Sequence, residues 1–114
     1  MSKQQYWVYM LRCSNGNFYT GYTTDIVRRY KEHEQGTAKC KYTRSFKPLG
    51  IAQCWTVTDC KGLVLQIEKF IKTLSKKEKE QLVLNPEKLG VYFTEAVVQG
   101  AEINATKLRD LRLL

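Results

Sequence analysis

Two aromatic, β-favouring runs, residues 6–13 and 18–22, flank the tetrapeptide Ser14-Asn15-Gly16-Asn17 near the start of the chain. Such runs around an Asn-Gly pair predict an antiparallel hairpin, so the open question is its register. If Asn15-Gly16 forms a two-residue turn, Tyr9 faces Tyr22 and Tyr19 faces Arg12. If Ser14-Asn15-Gly16 is a three-residue loop with Gly16 left-handed in a bulge, Cys13 pairs with Asn17, Leu11 with Tyr19 and Tyr9 with Gly21. The difference is chemical as well as geometric. A slip of one residue sends a side chain to the other sheet face, so Tyr9 and Tyr19 share a face in the second register and not in the first.

Beyond the hairpin, Thr23-Thr24-Asp25 supplies capping side chains for a helix over residues 25–35, which Gly36 is placed to end. Residues 37–50 are basic, contain Pro48 and Gly50, and read as a loop feeding a third strand over 51–57. Apolar residues at Leu63, Ile67, Phe70, Ile71 and Leu74 have helical spacing and predict a helix over 62–74. Ser75 with Glu78 three residues later fits a capping box for a further helix reaching about residue 84, before Asn85-Pro86. The expected core order is ββαβαα. This is an α/β chain of α+β type, with a small three-stranded, mostly antiparallel sheet flanked by helices. Residues 1–86 form the expected domain. Residues 87–114 are expected to be a tail, partly ordered at most, with a short strand at 91–93 and a helix within 104–114.

At 114 residues the chain is long enough to bury one ordinary core. No apolar run approaches the roughly 18 residues of a membrane span, and the start MSKQQYWVYM has no basic region leading into a long apolar stretch. A soluble protein in the cytoplasm, with no membrane partner, is expected. Residues 1–86 hold 15 basic against 7 acidic groups, and residues 87–114 hold 4 of each, so the whole formal +8 lies in the first segment. Such a basic body suits phosphate. Cys13, Cys40, Cys54 and Cys60 stand singly, with no Cys-x-x-Cys pair, and read as free thiols. With His33 they leave a zinc-stabilised interaction domain as a third reading.

Val8-Tyr9 in the first strand, Tyr19-Thr20-Gly21 in the second, Arg29 and His33 on the next helix and Glu68 on the following one together resemble the GIY-YIG nuclease domain. The similarity spans about residues 6–84, through the strings YTGYTTDIVRRYKEH, KYTRSFKP and EKFIKTLSKKEKEQLV. It is greatest to the small stand-alone bacterial branch of UPF0213-type proteins. Trp7 stands where the first signature triplet carries glycine, and Thr20 occupies the middle of the second. Neither change removes a group that does chemistry.

The resemblance implies a metal-dependent endonuclease that hydrolyses phosphodiester bonds, in DNA ahead of RNA, by a one-metal mechanism. Its implied catalytic residues are Tyr9 as general base, Tyr19 orienting water or phosphate, Arg29 on the scissile phosphate, His33 beside it, and Glu68 as the ligand of Mg²⁺ (or Mn²⁺). The chemistry agrees with the residue types. A hard oxygen donor suits Mg²⁺, and Arg29 and His33, four apart, lie on one helix face. Lys39, Lys41, Arg44, Lys47 and Lys72 are the expected phosphate contacts, with Arg44 first among them and Asn85 a weaker match for a supporting amide. The rival reading is a nucleic-acid-binding module with little or no activity. A shared site for both tyrosines requires the bulged register, with their hydroxyls turned toward Arg29 and Glu68 and open space beside Tyr9 at Gly21.

Overall fold

The computed structural model describes residues 3–37 and 40–111 of the chain. Its hairpin has the three-residue loop: Gly16 adopts φ 81°, its N–H donates to the Cys13 carbonyl at 3.0 Å, and the Cys13 N–H donates to the Asn17 carbonyl at 3.0 Å. Strand β1 (Gln5–Cys13) and strand β2 (Phe18–Thr23) therefore pair Leu11 with Tyr19 and Tyr9 with Gly21.

Helix α1 (Ile26–Gln35) begins where the Asp25 side chain accepts the Arg28 N–H. It ends at Gly36, which is left-handed at φ 66° and donates back to the Glu32 and His33 carbonyls. Both boundaries follow from capping chemistry that only those residue types supply cheaply. The basic segment after it contains a five-residue helix, α2 (Lys41–Ser45), where the sequence suggests only loop. Strand β3 (Pro48–Thr58) runs longer than its apolar centre because β1 pairs along its whole length.

Helix α3 (Lys61–Thr73) buries Leu63, Val64, Ile67 and Ile71, and α4 (Lys76–Leu84) opens on the Ser75–Glu78 capping box. Two short helices follow, α5 (Lys88–Tyr92) and α6 (Thr94–Val98), then strand β4 (Ile103–Ala105) and a 3₁₀ turn over Leu108–Leu111. The sheet thus has four strands, in the order β2-β1-β3-β4, rather than three. The extra strand arises because Ile103–Ala105 pairs antiparallel with Val57–Trp55. Residues 91 and 92, read as strand from their apolar character, lie in α5, and residue 93 caps it. The stretch expected to be helical within 104–114 contributes strand and 3₁₀ turn, and its last three residues lie outside the described residues.

Alternation along β1 divides the core in two. Val8 and Met10 point to one face, where Trp55, Val57 and the buried row of α3 pack with Leu82 and Leu89. Tyr9, Leu11 and Cys13 point to the other, against Cys54 of β3 and Ile26 and Tyr30 of α1. The Trp55 indole N–H donates to the Pro86 carbonyl at 2.7 Å and ties the segment after α4 to the first face. Among the described residues no helix is long and apolar enough to cross a membrane.

Candidate active site

The register just described brings Tyr9 and Tyr19 to the α1 face of the sheet, with ring centroids 6.3 Å apart. Their separation is set by Gly21. A side chain there would start with its Cβ 2.7 Å from the Tyr9 hydroxyl oxygen and 3.2 Å from the Tyr19 ring, so only glycine leaves the phenol where it is. Helix α1 lies over this pair and presents Arg29 and His33 one turn apart. His33 is 1% exposed, its ring centroid 4.9 Å from that of Tyr19 and 5.7 Å from that of Tyr9.

The Tyr9 hydroxyl and His33 Nε2 are hydrogen-bonded at 2.8 Å, in the protein interior. The charge of the Arg29 guanidinium acts on the same hydroxyl, and the guanidinium pairs with Glu32 Oε1 at 3.1 Å. On the far side of the imidazole, Nδ1 lies 2.7 Å from Thr43 Oγ1 of α2, and that hydroxyl donates to the Cys40 carbonyl at 3.3 Å. Burial pushes the Tyr9 phenol above its ordinary value, the neighbouring Tyr19 adds to this, and Arg29 works against it. Burial, followed by the Arg29 charge, lowers the His33 pKa to about 4 against a smaller opposing pull from Glu32. At neutral pH both rings are uncharged. Arg29 stays firmly cationic: desolvation acts against its charge, but the influence of Tyr9 and Glu32 outweighs that and raises its pKa.

Four of the five residues singled out for chemistry therefore stand together: Tyr9, Tyr19, Arg29 and His33. The fifth is Glu68. It projects from α3, which packs on the opposite sheet face, and its carboxylate is paired with Lys72 Nζ at 3.2 Å. Its side chain is 19% exposed and flanks the buried Val64, Ile67 and Ile71, so it is neither core nor a freely solvated group. Of the expected orientation of the two hydroxyls, that of Tyr9 toward Arg29 is supported by the Arg29 charge acting on the phenol. Among the described residues there is no group of three or more His, Cys, Asp or Glu side chains placed to hold a metal. One carboxylate of this kind still fits a cation such as Mg²⁺, which keeps much of its water and takes few protein ligands. The cysteines are free thiols, three buried and Cys60 exposed.

Among the basic residues, Lys41 and Arg44 are exposed on α2, Lys47 is exposed just before β3, and Lys72 is engaged with Glu68. Lys39 lies outside the described residues. The Arg44 stem crosses Gly36, its Cγ 3.4 Å from where a Cβ on that glycine would be, and this contact docks α2 on the end of α1. Asn85 caps the end of α4 through its backbone. Three residues of the constellation carry no obvious signal in the sequence. Thr43 looks like any threonine in a basic segment. Tyr42, whose ring is 5.7 Å from that of Tyr19 and whose hydroxyl accepts from the Asn15 amide at 2.8 Å, reads as one aromatic among many. Asn15 itself reads only as a turn residue.

The GIY-YIG catalytic domain family matches residues 5–81, a segment that includes Tyr9, Tyr19, Arg29, His33 and Glu68. The chain belongs to the GIY-YIG family. A UPF0213 protein of Halalkalibacterium halodurans is 42% identical over 78 residues, covering 68% of this chain and 81% of the relative. A UPF0213 protein of Syntrophus aciditrophicus is 41% identical over 90 residues, covering 78% of this chain and 100% of the relative. The solution NMR structure of a UPF0213 protein from Bacillus halodurans, 42% identical, covers 69% of this chain and 82% of its own with a TM-score of 0.45. Membership places the chain in a family of nuclease domains within its UPF0213 branch.

Proposed function

We propose that the chain is an endonuclease that hydrolyses phosphodiester bonds in nucleic acid, DNA ahead of RNA, with the help of one divalent metal ion. The observation that carries this reading is the Tyr9 hydroxyl, held between a permanent cation, Arg29, and a neutral imidazole at 2.8 Å, beside a position where Gly21 leaves no side chain. In-line hydrolysis needs a water to lose a proton as its oxygen bonds to phosphorus, and it needs positive charge beside the phosphoryl oxygens. Tyr9 meets the first need by relay. Its oxygen takes the proton of the attacking water while its own proton passes to His33 Nε2, so neither a free phenolate nor a resting imidazolium is required. Arg29 meets the second as the phosphate approaches. That phosphate charge offsets the lowering influence of Arg29 on His33 and makes the imidazole a better base when substrate is bound. Tyr19 forms the wall that keeps the water on line. The phosphorus–O3′ bond breaks as the water oxygen bonds, and the departing 3′ oxygen takes a proton from solvent.

Glu68 is the residue that would hold Mg²⁺ or Mn²⁺, with Lys72 released to a phosphate of the backbone. When bound, the ion supplies charge neutralisation at the phosphate and leaving oxygen. Lys41, Arg44 and Lys47 would track the polymer without reading its sequence.

The test is cleavage of a panel of labelled DNA and RNA structures with Mg²⁺ or Mn²⁺, and again with EDTA, using the wild type and Glu68→Gln. The variant is expected to lose about three orders of magnitude in cleavage, or roughly 4 kcal/mol, while binding nucleic acid as well as the wild type does. Wild-type turnover in Glu68→Gln would remove the metal-holding role. Binding without cleavage by the wild type under every condition would instead make the chain a binding module.

A further inference from the structure

The hydrogen bonds around His33 form a single line of groups, and counting their protons gives the line a direction. At one end the Cys40 carbonyl can only accept; it takes the Arg44 N–H at 2.9 Å and, as a second donor, the Thr43 hydroxyl at 3.3 Å. That hydroxyl has one proton. Having given it to Cys40, Thr43 can only accept at its other contact, 2.7 Å from His33 Nδ1. Nδ1 of the neutral ring must then carry the hydrogen, and Nε2 carries the lone pair. At the other end the Arg29 cation acts on the Tyr9 hydroxyl and favours a lone pair of its oxygen, not its proton, on that side. The Tyr9 proton is thereby directed to Nε2 at 2.8 Å. Every donor in the line has an acceptor.

The reverse assignment fails that count. A hydrogen on Nε2 would point at the Tyr9 oxygen, the phenolic proton would lose its acceptor at Nε2, and the Thr43 proton would turn from Cys40 to Nδ1, leaving that carbonyl with the Arg44 N–H alone. Thr43 is 1% exposed and its side chain is fixed by the short helix α2, so no water is needed to explain its role.

We infer that Thr43 is a positioning residue, which fixes His33 as the Nδ1–H tautomer and so turns an unprotonated Nε2 toward the Tyr9 hydroxyl. Its contribution to cleavage rests on the reading of Tyr9 and His33 as a proton relay, since Thr43 itself touches neither phosphate nor water in that scheme. A buried imidazole whose orienting partner is lost can settle as the other tautomer and present a hydrogen where a lone pair is needed, which disables a base without moving it far. The device also accounts for α2. The helix carries Thr43 at its centre, and the Arg44 stem packs over Gly36 at the end of α1.

Because the chain has a single histidine, its tautomer can be read directly. The experiment is a long-range ¹H–¹⁵N correlation of the imidazole near neutral pH on the full chain, for the wild type, Thr43→Val and Thr43→Ser, with single-turnover cleavage measured in parallel. The wild type and Thr43→Ser are expected to show a protonated Nδ1 and a bare Nε2. Thr43→Val, nearly equal in volume, is expected to lose that preference and to cleave at least roughly tenfold more slowly with little change in substrate affinity. A wild-type ring protonated on Nε2 would overturn the inference, as would a Thr43→Val ring with unchanged tautomer. If the valine variant does not fold, Thr43→Ala takes its place and is expected to lose the same preference, an unchanged tautomer again overturning the inference. Failure of the nuclease reading looks different: the tautomer would respond to Thr43 as expected, while the wild type cleaved nothing.

Discussion

Val8 and Met10 on one face of β1, and Tyr9 and Leu11 on the other, are neighbours in sequence but belong to regions of different chemistry. The α3 face is a continuous apolar contact in which Trp55, Val57, Val64, Ile67, Ile71, Leu82 and Leu89 are nearly free of solvent. The α1 face is also buried at β1, yet it includes a phenol, an imidazole and a threonine hydroxyl at 1% exposure each, joined by hydrogen bonds. The two-residue period of a strand makes this division possible, because adjacent positions report to separate environments. Stability is concentrated on the first face, where each fully buried aliphatic side chain contributes about 1.5–3 kcal/mol. The second face accepts polar groups that are individually costly to bury and tolerable only because their partners are present.

The strongest test of this division replaces one residue on each face. Tyr9→Phe is expected to slow cleavage by about 10³-fold while costing about 1–3 kcal/mol of stability, mainly from leaving His33 Nε2 without its donor. Ile67→Ala is expected to do the opposite, losing about 2–5 kcal/mol with cleavage per folded molecule within about twofold of wild type. Urea midpoints and single-turnover rates measured below both transitions give the two axes. If Ile67→Ala slowed cleavage as much as Tyr9→Phe, the faces would not be independent.

A second expectation concerns pH. His33 is held neutral in the fold, its pKa lowered from 6.5 to about 4 chiefly by burial, while the unfolded chain protonates it at the ordinary value. The unfolded state therefore binds the extra proton between those limits. Stability is whole above about pH 6.5, falls as pH drops toward about 4, and levels below that, for a loss of roughly 3 kcal/mol at most. Urea midpoints of wild type and His33→Gln between pH 7.5 and 5 isolate the effect, because the carboxylates titrate in both. Parallel curves would mean that the ring is solvated or charged in the fold.

The difference between the two faces also explains what was legible in the sequence. Elements governed by local chemistry could be read directly: the Gly16 loop, the Asp25 and Gly36 caps, the Ser75–Glu78 box and the apolar row of α3. The bulged register was legible only through the requirement that Tyr9 and Tyr19 share a face, since turn residues alone left two choices. What escaped depends on long-range partners. Helix α2 is too short for periodicity, and β4 exists because β3 offers an unpaired edge at Trp55–Val57. Residues 91–93 combine branched and aromatic side chains like a strand, but with the buried Leu89 they are better served as the short helix that packs Phe93 on the first face. Thr43 could not be recognised because a hydroxyl acquires meaning only from the imidazole across from it, ten residues away.

The smallest effect expected is also the one that assigns substrate contact to a face. Lys41 and Arg44 lie on α2, which carries Thr43 and hence belongs with the tyrosine cluster, whereas Lys76 and Lys77 begin α4, whose buried Leu82 belongs to the other core. Each phosphate contact releases close to one counterion, so the double variant Lys41→Gln with Arg44→Gln is expected to reduce the slope of log affinity against log salt by roughly two. Glutamine is the better replacement at Arg44 because it retains much of the stem that packs over Gly36 and removes chiefly the charge. Lys76→Gln with Lys77→Gln removes the same charge and is expected to leave the slope within experimental error, while shifting affinity only through the weaker overall field. The comparison controls for net charge, which a single double variant could not do. Equal losses of slope from the two pairs would place nucleic acid on both faces, and a loss confined to the α4 pair would move the contact surface away from Tyr9 altogether.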